Sequence, residues 1–528
     1  MPGTRKPDVV VIGGGTAGMV VAAESTARGL GTVVLEAGAW RHPQRDFSGD
    51  EWDMLHPADG VLRWGPTDRA EPPYLRELEG LGAVFQAAGV GGTGNMGWGA
   101  SPRGMVRSFE RGWPFGYRHL IEWYERIEEA LPVRIPEALA PKDEAFLEGC
   151  RRLGLDHLLG PDTDKIGWRF QPNAILPLTA AATPTFPEAD GCTACGGCIS
   201  GCRQPENAPL ERTAMRNGAT SFAPGAYATG LLDLRTDCQV VGIVAEPTSE
   251  GLHRVRAVRY RTQDGKVIEQ DGERFVLTAG AIESPRIYLA SGLPDNGWVG
   301  RGLTTHALDL VAGVLPEEVD PSVGQVSMAR CDFPGFGSVF SLGLTPLLAA
   351  LAYGSGHGIS HGHGPWATDG FVVGADLKRR MEKWRRTLFV GVSVDDEVDG
   401  SNGVRLSSGA SDTAGPVPSI RYVPTDETLR RRDWLARRAS EILVEAGADP
   451  ASVHRFDLLG LGLHLHGTLR MGGEGNGVVS AEGRFHSTTN LYCADASILP
   501  TSLGGADPAL TVQACASMIS ERIAATLD

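Results

Sequence analysis

The chain has no run of about 18 consecutive apolar residues, so no segment reads as a membrane-spanning helix. Positive charge is in deficit: 49 Lys and Arg stand against 64 Asp and Glu, and the net charge of −15 argues against nucleic acid or an anionic membrane as partner. The opening residues MPGTRKPD lack both the apolar core of a secretory signal and a twin-arginine pair, so a cytoplasmic location is expected. Cysteine is sparse, nine in 528 residues, yet four fall in one short segment. In a reducing compartment such clustering points to metal or redox chemistry rather than to disulfides. An apolar content of 42% and a charged content of 21% describe an ordinary globular protein. The length calls for two domains or one large composite one.

What is abundant is glycine, 70 residues, and its first cluster organises the chain. The apolar run Val9 to Ile12 reads as a buried parallel strand, and Gly13, Gly15 and Gly18 follow at G-x-G-x-x-G spacing. The first glycine permits a tight turn, the second lets backbone approach a pyrophosphate, and the third lets helix pack on strand. Thr16 and Ala17 open that helix, whose free N–H groups favour the phosphates. A second strand, Thr32 to Leu35, ends at Glu36, where a carboxylate accepts ribose hydroxyls. This favours NAD or FAD over a 2′-phosphorylated dinucleotide, and the motif alone does not separate nicotinamide from flavin.

Further on, Arg41 to Arg69 is polar and aperiodic, an excursion that covers something. The glycine-dense stretch AAGVGGTGNMGWGASPR lets backbone lie against a flat ligand, with Gly91, Gly92, Thr93, Gly94, Asn95 and Met96 as its contacts. Leu120, Ile121, Tyr124, Ile127 and Leu131 fall at helical spacing and form a core-facing stripe. Between Leu231 and Ala279 three strand-like segments alternate with turns, and Val240 in the first is assigned to the dinucleotide site. A strand-to-helix turn at Ala279 and Gly280 provides a second close approach. Residues 306–454 look different and read as the substrate region. There, His357, His361 and His363 sit in a glycine loop without a neighbouring acid or cysteine, so a loop near a site entrance is preferred to a metal site. The basic helix DLKRRMEKWRR reads as a solvated face.

Cys192, Cys195, Cys198 and Cys202 have the spacing C-x2-C-x2-C-x3-C of bacterial ferredoxin runs. Iron–sulfur ligation, zinc and free structural thiols all stay open as readings. Near the C-terminus, GLGLHLHGTLRMGG places His464 and His466 two apart, on one face if the segment is a strand. NLYCADASILPT reads as a short strand running into Asp495 and Ala496, assigned to the cofactor site. In GGADPALT, Asp507 suits an N-cap, and Pro508, Ala509 and Leu510 open the last helix. A helix N-terminus there offers positive potential to an anionic ring or a developing alkoxide.

Taken together, these motifs resemble the glucose–methanol–choline (GMC) oxidoreductases, with the flavour of the pyranose oxidase and cholesterol oxidase branches, over nearly the whole chain. The resemblance rests on the N-terminal glycine motif with LEAG, on AGVGGTGNMGWGA, on GAIESPRIYLASGL, on HLHGTLRMG and on ADPALT. It implies an α/β fold: a Rossmann-like FAD-binding domain with an inserted α+β substrate domain. The expected division is 1–115, 215–305 and 455–528 for the discontinuous FAD domain, 116–214 for a helical and cysteine-rich connection, and 306–454 for the substrate domain. It implies non-covalent FAD, because the glycine loop has no histidine in the place where some relatives attach the flavin. Some FAD sugar dehydrogenases of the family use clustered cysteines for iron–sulfur.

By resemblance His464 is the catalytic histidine, His466 is secondary, and Asp507 takes the second catalytic place, where the family has His or Asn. An ionised Asp there only accepts hydrogen bonds, favours the charged form of a neighbouring imidazole and repels an alkoxide. It is therefore expected either to be protonated or to orient His464. The implied reaction is oxidation of an alcohol group, on a sugar, glycoside or polyol-like substrate, to a carbonyl by hydride transfer to the flavin with His464 as general base. Oxygen, a quinone or a protein is the electron acceptor. The alternatives are a flavin-containing lyase and a cofactor-binding electron-transfer protein without alcohol oxidation.

Overall fold

The run VVVI forms the parallel strand Val9–Ile12, and all four side chains are buried. A strand apolar at every position must be covered on both faces, and this one lies in the middle of a five-stranded parallel sheet. In order across that sheet stand Leu491–Cys493, Arg274–Leu277, Val9–Ile12, Thr32–Leu35 and Leu232–Arg235. The computed structural model describes residues 6–40, 46, 55–58, 61–64, 75–95, 97–162, 164–176, 191–202, 213–354, 372–458 and 460–527. Met96, most of 41–69 and the histidines at 357, 361 and 363 lie outside the described residues.

The helix Thr16–Ala27 is mostly small and apolar and packs against the C-terminal helix Ala509–Ala524, itself largely buried. That second helix in turn meets Ile121–Ala130, where Tyr124 Oη and Thr511 Oγ1 lie 2.7 Å apart. The expected stripe is present on this helix and its flanks: Leu120, Tyr124, Ile127 and Leu131 are buried, and Ile121 is half-buried. Both chain ends therefore share one core.

A second sheet is antiparallel and six-stranded, in the order His454–Asp457, Asp309–Val314, Thr387–Val394, Gly337–Leu342, Ala329–Phe333, Gly167–Phe170. Two of its strands come from outside 306–454 or cross its end. Thr387–Val394 is buried at all eight positions, and its alternation shows why. Leu388, Val390, Val392 and Val394 meet Leu435, Ala439 and Ile442 of the helix Asp426–Glu445, whereas Phe389 faces Tyr353 and Phe456 on the opposite side. The basic stretch is helical over Gly374–Met381, which buries none of its residues, as a solvated face should, but its continuation Trp384–Arg386 is a short turn that buries Trp384 in the core. The fold is thus a parallel α/β layer joined to an antiparallel layer, and residues of both reach the site.

Candidate active site

The turn after the first strand is sterically committed to glycine. Gly13 has φ +103° and a Cβ there would meet the Thr278 carbonyl oxygen; a Cβ at Gly18 would overlap the Gly13 carbonyl oxygen. The helix then starts behind Gly15 with no side-chain cap and no acid in its first turn, which leaves its N–H groups to a ligand. Glu36 ends the second strand buried. Its Oε2 accepts from Gly14 N–H at 2.6 Å, and its Oε1 accepts from Gly38 and Gly89 N–H at 2.8 and 2.9 Å. Burial pushes the carboxyl up from its ordinary value, and those backbone donors oppose the shift. A carboxylate has about four acceptor positions, so three are used within the protein and about one is left for a ribose hydroxyl.

The glycine loop is stitched to this motif. Gly91 N–H donates to the Gly14 carbonyl at 2.8 Å, and Gly92 lies against Gly15. A cavity of about 360 Å³ runs along the junction. Gly13, Gly15, Thr16, Ala17 and Glu36 line it from the first motif, and Gly92, Thr93 and Gly94 from the loop. Val240, Ala279, Gly280, Asp495 and Ala496 line it from the sheet. His464, Asp507, Pro508 and Ala509 complete it. Four other residues assigned to the site stand behind that wall. Gly18 is the packing contact, Gly91 joins loop to turn, Asn95 Nδ2 donates to the Val90 carbonyl at 2.8 Å, and Leu510 is in the core. Asp495 works on the far wall: its Oδ2 accepts from Gly280 N–H at 2.8 Å and from Ser284 Oγ at 2.5 Å, which ties the second strand-to-helix turn in place. Gln513 also lines the cavity, and its buried Oε1 has no partner among the described residues. An uncapped helix start, a glycine cradle and an orphaned polar atom fit FAD.

His464 and His466 are not on a strand. The segment is irregular apart from one bridge between Thr304 and His466, because Gly462 and Gly467 bracket a chain that must turn from the cavity into the core. The two imidazoles consequently part. His466 is fully buried and its Nδ1 donates to the carbonyl of His464 at 2.6 Å; burial pushes it down to about 4. His464 stays at the cavity, with Nε2 at 3.3 Å from Asp507 Oδ2. Asp507 Oδ1 accepts from Ala509 N–H at 3.0 Å, so one oxygen caps the last helix and the other faces the imidazole.

The sequence reading missed His306. It is fully buried, and its Nδ1 lies 3.0 Å from His464 Nδ1, while its Nε2 lies 2.7 Å from the Ser502 carbonyl oxygen. Burial, with His464 and His466 nearby, holds its titration well below the ordinary value. Its backbone has φ +53°, a region costly for a side chain of this size. The buried carboxylate of Asp396 fixes that geometry by accepting from Ala307 N–H at 2.7 Å and from Thr305 N–H at 3.3 Å, one on each side of His306. Its Oδ2 also takes the Tyr422 hydroxyl at 2.7 Å. No spacing rule links His306 to His464, 158 residues apart; a lone histidine ahead of an apolar strand was the sole signal.

Of the three readings left open for the four cysteines, iron–sulfur ligation finds no support among the described residues. Cys198 is packed with Ile175, Ile199 and Met215, Cys195 faces solvent, and Cys192 Sγ accepts from Ala194 N–H at 3.3 Å. Burial pushes the thiols of Cys192 and Cys198 up. Among the described residues no group of three or more His, Cys, Asp or Glu is placed to hold a metal ion. Nor, among them, is any helix long and apolar enough to cross a membrane.

Comparison with known proteins bears on the family and the fold. Residues 176–308 and 399–516 match the two family models described as GMC oxidoreductase, and 8–59 match one described as an FAD binding domain. Paromamine 6'-oxidase of Streptomyces fradiae is 26% identical, over 98% of this chain and 92% of its own. A long-chain-alcohol oxidase of Arabidopsis thaliana is 24% identical, over 98% of this chain and 66% of its own. Among solved structures, pyridoxine 4-oxidase from Mesorbium loti superposes with TM-score 0.68 at 18% identity, covering 98% and 99% of the two chains. Formate oxidase of Aspergillus oryzae gives 0.67 at 14%, covering 99% and 98%. Likeness at that identity speaks to the fold alone.

Proposed function

The chain belongs to the GMC oxidoreductase family, as an FAD-dependent enzyme acting on CH–OH groups, and from that premise we propose that His464 is its general base and Asp507 the acid that shares a proton with it. The supporting observation is the 3.3 Å approach of His464 Nε2 to Asp507 Oδ2 on the cavity wall, beside the start of the C-terminal helix. Bound FAD supplies the acceptor for the hydride that leaves the substrate carbon. Gly13, Gly15 and the first turn of the helix Thr16–Ala27 would hold its phosphates, and Glu36 a ribose hydroxyl. His464 takes the hydroxyl proton at Nε2, a step worth about 10²- to 10⁴-fold. The start of the C-terminal helix lends positive potential to the oxygen as its negative charge develops. Asp507 holds the imidazole edge toward that oxygen and stabilises the imidazolium that forms.

The substrate class is a hydroxyl on a sugar, glycoside or polyol-like molecule, favoured by the likeness to an aminoglycoside-directed oxidase across almost the whole chain. Dioxygen is the acceptor favoured by relatives named as oxidases. The test is anaerobic bleaching of the flavin absorbance by a panel of aminoglycosides, hexoses, polyols and primary alcohols. One member of the panel should bleach the wild type, and His464→Ala should slow that by at least about 10²-fold. Wild-type rates in the alanine variant would remove His464 from the chemistry; a panel that never bleaches would move the chain to the non-redox reading.

A further inference from the structure

We propose that His306 is a positioning residue that sets the tautomer of His464, fixing Nδ1 as its protonated nitrogen and Nε2 as the bare one that serves as base. The inference rests on the reading of His464 as the base, and it follows from the direction of each hydrogen bond. The Ser502 carbonyl can only accept, so His306 Nε2, 2.7 Å away, must carry a proton. A buried neutral imidazole protonated at Nε2 has a lone pair at Nδ1. His464 Nδ1, 3.0 Å from it, must therefore be the donor. With its proton at Nδ1, neutral His464 presents a bare Nε2 on the cavity side, where Asp507 Oδ2, 3.3 Å away, faces that lone pair as the protonated acid and the imidazolium as its carboxylate.

The scaffold around His306 keeps this arrangement from relaxing. Asp396 accepts from the N–H groups of both neighbours and so holds the φ +53° backbone. Ser502, whose carbonyl orients the ring, is itself tied by its Oγ to Asp395 Oδ1 at 2.6 Å and to the Asp396 carbonyl at 3.1 Å. The two rings meet nearly at right angles, 83°, with centroids 5.1 Å apart, so the contact is edge-on and not stacked. In water a neutral imidazole is free to choose either tautomer; a carbonyl-anchored imidazole at this edge removes the choice.

The test reads the tautomer without turnover. Holoenzyme labelled with ¹⁵N in the histidine rings is titrated and followed by long-range ¹H–¹⁵N spectra, with His306, His464 and His466 assigned by substitution. Wild-type His464 in its neutral form should be protonated at Nδ1 and bare at Nε2. His306→Leu should lose that preference and lower kcat/KM by at least about tenfold with the alcohol that bleaches the flavin fastest. His306→Asn keeps an acceptor at the Nδ1 position and tolerates positive φ, and should restore both the tautomer and most of the rate. A wild-type His464 protonated at Nε2 would overturn the proposal, as would a His306→Leu variant with unchanged tautomer and rate. If the leucine variant fails to hold FAD, the wild-type spectrum and the asparagine variant still decide. Loss of the base role itself is read separately, from His464→Ala.

Discussion

Acid should weaken this fold through one histidine in particular, and the size of the effect follows from burial. His466 has no exposed surface, and its imidazole is pushed down to about 4, against an ordinary 6.5. The sign is fixed by proton binding. Between those two values the unfolded chain holds a proton that the folded one refuses, so stability falls as pH drops through that window. At about 1.36 kcal/mol per pH unit the loss is about 3 kcal/mol by pH 4. His306 is shifted in the same direction. Asp396, pushed up to about 6 from 3.8, has the opposite sign: its contribution is full below its unfolded value and is lost as pH rises through 6. The pH curve of the wild type therefore mixes the three. The assay is chemical denaturation of wild type and His466→Asn in parallel from pH 7 to pH 4. The asparagine amide keeps the donor to the His464 carbonyl and removes the titration. The wild type should lose about 3 kcal/mol more than the variant across the window. Parallel curves would refute the reasoning.

Gly18→Ala should reduce bound FAD, read as the ratio of flavin to protein absorbance, because its Cβ would overlap the Gly13 carbonyl and push the helix from the sheet. Arg76→Ala should destabilise by about 1 kcal/mol in denaturant melts, since it removes one buried guanidinium from Glu283, which keeps Arg286 as its other partner. Asp507→Ala should cost about 1 kcal/mol of stability beyond its effect on activity, through loss of the cap on Ala509. Iron and acid-labile sulfide analysis of anaerobically purified protein should find no stoichiometric iron. Replacing Cys192, Cys195, Cys198 and Cys202 together by serine should leave FAD content unchanged.

Much of the parallel layer was legible because its signals are local. Apolar runs such as Val9 to Ile12 bury on both faces, and the glycine spacing after it answers a steric demand made by neighbours in sequence. The stripe around Tyr124 and the solvated basic helix were readable for the same reason. The site was legible only where one short motif held it. Asp507 read correctly as a cap because its partner is two residues away. His464 and His466 would share a face only on a strand, and their alternating spacing does not separate a strand from the bracketed loop they occupy. His306 and its Asp396 clamp were invisible, because hydrogen bonds across 89 and 158 residues leave no periodic mark. The cysteine spacing matches a ligand pattern, and spacing alone does not separate a cluster site from packed thiols.

The sheet order has a consequence for how the molecule comes into being. Its central strand is made first, yet one neighbour, Arg274–Leu277, comes from mid-chain, and beyond that stands Leu491–Cys493, made almost last. The C-terminal helix that covers the first helix follows later still. Pairings this distant in sequence fold slowly, because a long loop must close before any contact rewards it. During synthesis the glycine turn therefore waits on nearly the whole chain. The antiparallel sheet, whose strands all lie between 167 and 457, is complete before the last strand of the parallel one leaves the ribosome. Competence to retain FAD thus arrives with the helix Ala509–Ala524, and a chain cut before it carries the phosphate turn without the wall that closes over it.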